Sequence, residues 1–201
     1  MVRVPRVQTP GIYHVTDRGT GPSVIFRDEA DHESLVELLS SVLEEFDWTC
    51  HVLCLLGTHY HLVIETAGEN LAAGMQRLKG LFAQGFNRRH GRVGALFQGR
   101  YGSFPVLTDA HLLAVIRYIA LNPVKARICD SPRDWRWSSY SVLVGAADPF
   151  AFPVGEELLG LFGSDRAGAI DGLVSFVEAP LWDMPVRRDD SLTGSDPVTK
   201  L

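Results

Sequence analysis

Residues 51–65, HVLCLLGTHYHLVIE, carry two histidines one residue apart within an apolar run. In a β-strand successive side chains alternate faces, so His59 and His61 would project side by side from one surface. Two neutral imidazoles fixed in this way begin a divalent-metal site and leave coordination positions for oxygen ligands. The surrounding Leu, Val, Ile and Cys residues suit a strand covered on both faces, and burial would hold the rings still. The alternative is a buried strand whose histidines are hydrogen-bonded and do no chemistry.

A second group lies in residues 109–124, DAHLLAVIRYIALNPV. Leu112, Leu113, Ile116, Ile119 and Ala120 recur at helical spacing, and Thr108 or Asp109 can cap the start. Residues four apart on a helix stack on one face, so Tyr118 and Asn122 would bring a phenol and an amide carbonyl to one spot. Pro123 opposes this, because the residue before a proline is pushed away from helical geometry, and the helix is expected to end near Asn122.

Five ordered blocks belong together: GIYHVTDRG at 11–19, THYHL at 58–62, LFQGRY at 96–101, RYIALNPV at 117–124 and DWRWSSY at 134–140. Through them the chain, from about residue 10 to 140, resembles the single-tyrosine transposases of the HUH nuclease superfamily, of the insertion-sequence-200 type. Within these it is most similar to the REP-associated tyrosine transposases, domesticated relatives that act on repeated extragenic palindromes. One departure is visible: that family usually places Pro-Asn before its histidine pair, and this chain has Gly57-Thr58. The change alters the approach to the strand and removes no ligand.

The resemblance implies an α+β, ferredoxin-like (RRM-like) fold, a mainly antiparallel sheet with packed helices. It implies a catalytic domain over residues 1–145 that carries out DNA transposition as a metal-dependent, single-strand DNA transesterase on hairpin-forming repeats or transposon ends. Tyr118 would be the nucleophile, giving a 5′-phosphotyrosine and a free 3′-OH, and the retained bond energy would let a second 3′-OH displace the tyrosine. His59 and His61 would bind Mg²⁺ or Mn²⁺. Asn122 would be the third ligand, since the family carries a carbonyl-bearing side chain four residues after its tyrosine; capping the helix before Pro123 is its other role. Tyr60 is the rival nucleophile by proximity, although alternation points it away from the metal face. Two other functions compete: a domesticated DNA-binding protein whose nicking site has decayed, and an unrelated H-x-H metallohydrolase. Relatives occur as monomers and as dimers with exchanged tyrosine helices, so monomer and homodimer both stay open.

The net charge of −5 argues against DNA binding until its distribution is read. Residues 1–145 hold 15 basic and 14 acidic residues, whereas 146–201 hold 4 and 10. Residues 70–108 carry six basic residues and no acidic one, and a local field of one sign attracts phosphates. Arg18, Arg77, Lys79, Arg88, Arg89, Arg92, Gln98 and Arg100 are therefore the candidate contacts to single-stranded or hairpin DNA, the alternative being a solvated basic helix face. Phe97 and Tyr101 could stack on bases or fill the core, and Trp135 and Trp137 are expected to pack the end of the domain. No stretch approaches the ~20 apolar residues of a membrane helix, and no apolar segment follows the opening MVRVPR, so the expected location is cytoplasmic with no membrane partner. Three cysteines without a disulfide pattern agree with a reducing compartment. On one continuous strand Cys50 and Cys54 would face away from the histidine pair, unless the chain breaks near Gly57.

The elements that must position these residues read as a split βαβ arrangement, β-α-β-β-α-β-α. A strand is expected at 12–16, then a glycine-rich turn at 19–21 and a helix over 28–46 with Leu35, Leu38, Leu39, Val42, Leu43 and Phe46 inward. Residues 48–66 form two strands, or one bent at Gly57. A helix from Asn70 to Gly91 buries Met75, Leu78, Leu81, Phe82 and Phe86; a loop at 91–99, a strand at 100–107 and the Tyr118 helix follow. After Tyr140 an acidic extension, 146–201, offers short apolar helices at 156–162 and 167–177 and a disordered tail from Pro180.

Overall fold

The computed structural model describes residues 9–21, 23–150 and 152–179. The chain runs through β1 (Gly11–Arg18), α1 (Glu29–Phe46), β2 (Trp48–Leu56), β3 (His59–Thr66), α2 (Leu71–Arg89), β4 (Gly102–Pro105), α3 (Asp109–Ala120), α4 (Asn122–Lys125), α5 (Ser139–Leu143) and α6 (Arg166–Glu178). The strands form one sheet in the order β2-β3-β1-β4, every pair antiparallel. The α+β, ferredoxin-like architecture expected from the sequence is the one observed.

Each face of the sheet builds its own core. On one, Val15, Leu53, Leu55, Tyr60, Leu62 and Ile64 meet Leu35, Leu39, Val42, Leu78, Phe82 and Phe86 of α1 and α2. On the other, Val52, Cys54, Leu56 and Val63 meet Leu112, Val115, Ile116 and Ile119 of α3. Capping fixes the helix starts: Asp28 accepts the Asp31 N–H at the head of α1, and Thr108 accepts the His111 N–H at the head of α3. Asn70 does something else. Its side chain accepts the Trp48 indole N–H at 2.7 Å and donates to the Phe46 carbonyl at 2.8 Å, tying the start of α2 to the α1–β2 corner. Gly74 completes that corner, because a Cβ there would lie 2.2 Å from the Trp48 ring.

Several expectations change. β1 extends to Arg18 and β4 shrinks to four residues, leaving Leu107 at 73% exposure. Leu81, expected inside, is exposed, because α1 and the sheet cover only the stripe through Met75, Leu78, Phe82 and Phe86. Residues 57–58 turn the chain into a hairpin, in which Leu56 faces His59 and Cys54 faces His61. Paired residues share a face, so Cys54 lies on the histidine side, while Cys50, opposite Ile64, lies on the other. The parity of a continuous strand does not survive the turn.

The chain from 152 to 179 adds a further layer. A 3₁₀ turn at Glu156–Leu161 and α6 pack Leu158, Leu159, Leu173 and Val177 into the α3 core. Buried Arg117 donates to the Val177 and Ala179 carbonyls, and Glu178 accepts from the Tyr140 hydroxyl and from Arg133. The expected tail from residue 180 lies outside the described residues. No described helix is long and apolar enough to cross a membrane.

His32 gives the fold a pH dependence. Its ring stacks between Phe26 and Trp137, with centroids 4.5 and 4.7 Å away, and burial lowers its pKa against the opposing pull of Asp31, Glu29 and Asp28. The unfolded chain therefore takes up this proton first as pH falls below about 6.5, so stability present above that value is lost on acidification. Thermal melts should show a drop in Tm between neutral and mildly acidic pH, and the drop should be smaller in His32→Phe.

Candidate active site

Register decides what meets what. In the β1–β3 ladder Arg18 faces His59, Thr16 faces His61 and His14 faces Val63, so His14, Arg18, His59 and His61 all look toward α3. The His59 and His61 ring centroids lie 5.2 Å apart with the rings nearly perpendicular. Tyr118, half-buried on α3, presents its ring edge-on to His61 at 5.5 Å and to His14 at 6.1 Å. The helix breaks at Leu121, as Pro123 requires, and α4 begins at Asn122. The break still leaves buried Asn122 within hydrogen-bonding reach of His59, while its amide sits 3.5 Å from the Tyr118 carbonyl.

Neighbours hold both rings in place. His14 Nε2 and His61 Nδ1 are 3.0 Å apart, one donating to the other, and Thr58 Oγ1 lies 3.0 Å from His59 Nδ1. With each Nδ1 engaged, Nε2 is the nitrogen left to each ring for a further partner. Burial pushes His61 well below the usual imidazole pKa, with the charges of His14 and His59 adding to the effect. Burial lowers His59 as well, a hydrogen bond that the ring gives to Asn122 opposes it, and Arg18 adds to the lowering. Both rings are thus neutral at physiological pH, the form in which imidazole can accept a metal.

The rival tyrosine is elsewhere. Tyr60 is fully buried on the α1/α2 face beside Asp17, and burial drives its phenol pKa well up. Among the proposed DNA contacts, Arg18 is exposed at the edge of the site, and the Gln98 N–H donates to the Arg18 carbonyl at 3.0 Å. Gln98 and Arg100 are exposed on the same loop. The others ride on or beside α2, across the sheet from Tyr118. Lys79 pairs with buried Asp17 at 2.6 Å and lies over Phe97, Arg77 pairs with Glu45, and Arg89 bridges Asp28 and Asp31. Arg92 lies over Phe86, and Arg88 is exposed in the α1–α2 groove. Phe97 and Tyr101 are core residues, as is Trp137, while Trp135 donates to the Leu55 carbonyl at 2.8 Å.

Sequence reasoning missed two residues at this site. His14 sits in the first of the quoted blocks, but its contact with His61 crosses two strands and depends on the register. Lys125 lies just past the Asn122-Pro123 break, with Nζ 5.0 Å from the centre of the Tyr118 ring.

A phenol facing a histidine pair, with an amide one turn on, agrees with the match of residues 11–122 to the family model described as transposase, IS200-like. The chain belongs to the IS200-like transposase family. Among solved structures it is similar to a REP-associated tyrosine transposase bound to a REP hairpin, with 18% identity, a TM-score of 0.60, and coverage of 78% of this chain and 98% of the other. A candidate transposase from Deinococcus radiodurans aligns more weakly, with 16% identity, a TM-score of 0.41, and coverage of 64% of this chain and 92% of the other. No curated protein sequence matches the chain.

Proposed function

We propose that this IS200-like transposase is a single-strand DNA transesterase in which Tyr118 attacks the scissile phosphate and His59, His61 and Asn122 hold a divalent ion, Mg²⁺ or Mn²⁺. The observation that carries the proposal is the edge-on approach of the Tyr118 phenol to His61 at 5.5 Å within one chain. A single copy would then contain a complete site. The donor set fits a metal: two neutral rings on one rigid strand, each braced through Nδ1, with a carbonyl-bearing side chain beside them. A bound divalent ion would polarise a non-bridging oxygen of the scissile phosphate.

The chain's own residues supply the rest. α3 is anchored by its core and by Arg117, so the Tyr118 ring is pre-positioned for attack rather than searching for it. The phenol gives its proton to solvent as the Oη–P bond forms and the P–O3′ bond breaks, and the 3′ oxygen leaves with the electron pair and takes a proton from solvent. Arg18, exposed beside His59, is suited to a backbone phosphate. The solved relative's REP hairpin supports hairpin DNA as the substrate class. The Gly57-Thr58 turn speaks against decay, since Thr58 braces His59.

A labelled hairpin oligonucleotide tests the reading: the wild-type protein should nick it and become covalently attached only when Mg²⁺ or Mn²⁺ is present. Tight binding without nicking under any metal would favour the decayed DNA-binding alternative. The DNA surface has a separate test. Arg18→Ala and Arg100→Ala should each flatten the dependence of log affinity on log salt by about 0.7 for a true single-strand contact. Arg89→Ala should chiefly lower Tm, because that guanidinium is bonded to Asp28 and Asp31. A flattened slope in Arg89→Ala alone would move the DNA surface to α2.

A further inference from the structure

The sheet end that carries Arg18 and His59 continues onto the α1/α2 face. The Gly57 carbonyl, two residues before His59, accepts the Ile25 and Phe26 N–H groups at 2.8 and 3.2 Å, and Arg27 follows directly. Through that bond and three peptide links, the Arg27 backbone lies within about 20 Å of the His59 backbone. Phe86, near the end of α2 and 3% exposed, is covered there by two guanidiniums. Arg27 lies 5.6 Å and Arg92 5.8 Å from the ring centre, both in the range of a cation–π contact. Around them Arg89 and His90 take up Asp28 and Asp31, while Glu29 is paired with Arg136. Among the described residues neither Arg27 nor Arg92 has a carboxylate partner; the Arg92 guanidinium reaches the Asn87 side-chain oxygen at 3.4 Å. The backbone beneath is fixed as well, with the Arg27 N–H donating to Asp31 at 2.8 Å and the Arg92 N–H to the Asn87 carbonyl at 2.9 Å. Two planar cations held against one ring, with N–H forks not spent on acids, form a pre-organised anion clamp.

We propose that Arg27 and Arg92 clamp a backbone phosphate in the paired stem of a DNA hairpin, outside the strand that Tyr118 attacks. The proposal rests on the reading of hairpin DNA as the substrate and adds to it a contact behind the sheet. The scissile phosphate belongs on the α3 side, so DNA that reaches the clamp must lean over the sheet's end. A paired stem suits that span, because a duplex is stiff over far longer distances and loses little further freedom on making a second contact. An unpaired strand would have to be ordered link by link. At 3.4 Å per base pair, ~20 Å is about six base pairs, which places the clamped phosphate in the part of the stem nearest the cleavage site.

The test titrates wild type, Arg27→Met, Arg92→Met, Arg27→Lys and Arg92→Lys, as full chains, over a range of salt concentrations with two labelled probes. One is a hairpin oligonucleotide with a stem of about ten base pairs, and the other is the scissile strand alone, unable to pair. Methionine keeps an apolar chain against Phe86 and drops the charge. Each Met variant should lose about ten-fold in hairpin affinity and flatten the dependence of log affinity on log salt by about 0.9, the value for one duplex phosphate. Its loss on the unpaired strand should stay under about two-fold, and Lys should restore the slope because it keeps the charge. A neutral methylphosphonate moved through the first six or so stem phosphates should, at one position, erase the difference between wild type and Arg27→Met. Unchanged hairpin affinity and slope in both Met variants, equal losses on the two probes, or a loss that Lys fails to restore would overturn the proposal. A wild type that binds the two probes equally would instead overturn the hairpin reading on which it rests.

Discussion

Tyr118→Phe should abolish the covalent protein–DNA adduct while leaving hairpin affinity within about two-fold of wild type. The substitution removes one oxygen. The ring keeps its edge-on contacts with His61 and His14 and its place under Lys125, so the packing of α3 is undisturbed. Without the hydroxyl no Oη–P bond can form, and the loss should reach the detection floor, on the order of 10³-fold or more. Tyr60→Phe is the matched control. It removes a buried hydroxyl on the opposite face of the sheet from Tyr118, so the adduct should persist. A denaturing gel with labelled oligonucleotide reads both variants.

Removing the histidines should have the second-largest effect. His61→Ala and His59→Ala should each cut metal-dependent nicking by about 10² to 10⁴-fold, and added Mg²⁺ or Mn²⁺ should not restore it. The graded part of the prediction concerns their braces. His14 touches His61 rather than the ligand position, so His14→Ala should weaken Mn²⁺ affinity by about 10 to 100-fold, the usual cost of losing a partner that orients a ligand. Asn122→Ala should weaken it less than His59→Ala or His61→Ala does, since an amide oxygen is the poorer donor to a transition metal. Mn²⁺ titration of the DNA-free protein separates these effects from catalysis. Equal affinities in wild type and Asn122→Ala would confine Asn122 to its bond with the Tyr118 carbonyl.

Period and chemistry made much of this site legible in advance. Alternation put His59 and His61 on one face and Tyr60 on the other, and i, i+4 spacing put Tyr118 near Asn122; both are local relations that need no tertiary structure. What alternation could not supply was register. His14 meets His61 only because Thr16 pairs with His61, and Cys54 joins the histidine face only because the turn at 57–58 reverses the chain. The basic stretch was legible only as charge, for a related reason. A run of charge in sequence says nothing of which cations are already neutralised, and Lys79, Arg77 and Arg89 find carboxylates at Asp17, Glu45, Asp28 and Asp31 that lie 30 or more positions away in the chain. Composition marks residues 146–201 as an acidic extension, and within it Leu158, Leu173 and Val177 share a core with the tyrosine helix.

The most direct measurement is the identity of the residue that carries DNA after nicking. Wild-type protein is incubated with Mn²⁺ and a hairpin oligonucleotide, the adduct is digested with protease and nuclease, and the modified peptide is sequenced by mass spectrometry. The account predicts a 5′-phosphotyrosine on the peptide containing Tyr118, and none in the absence of metal. Attachment at Tyr60 or at any other residue, or nicking with no covalent intermediate, would contradict it.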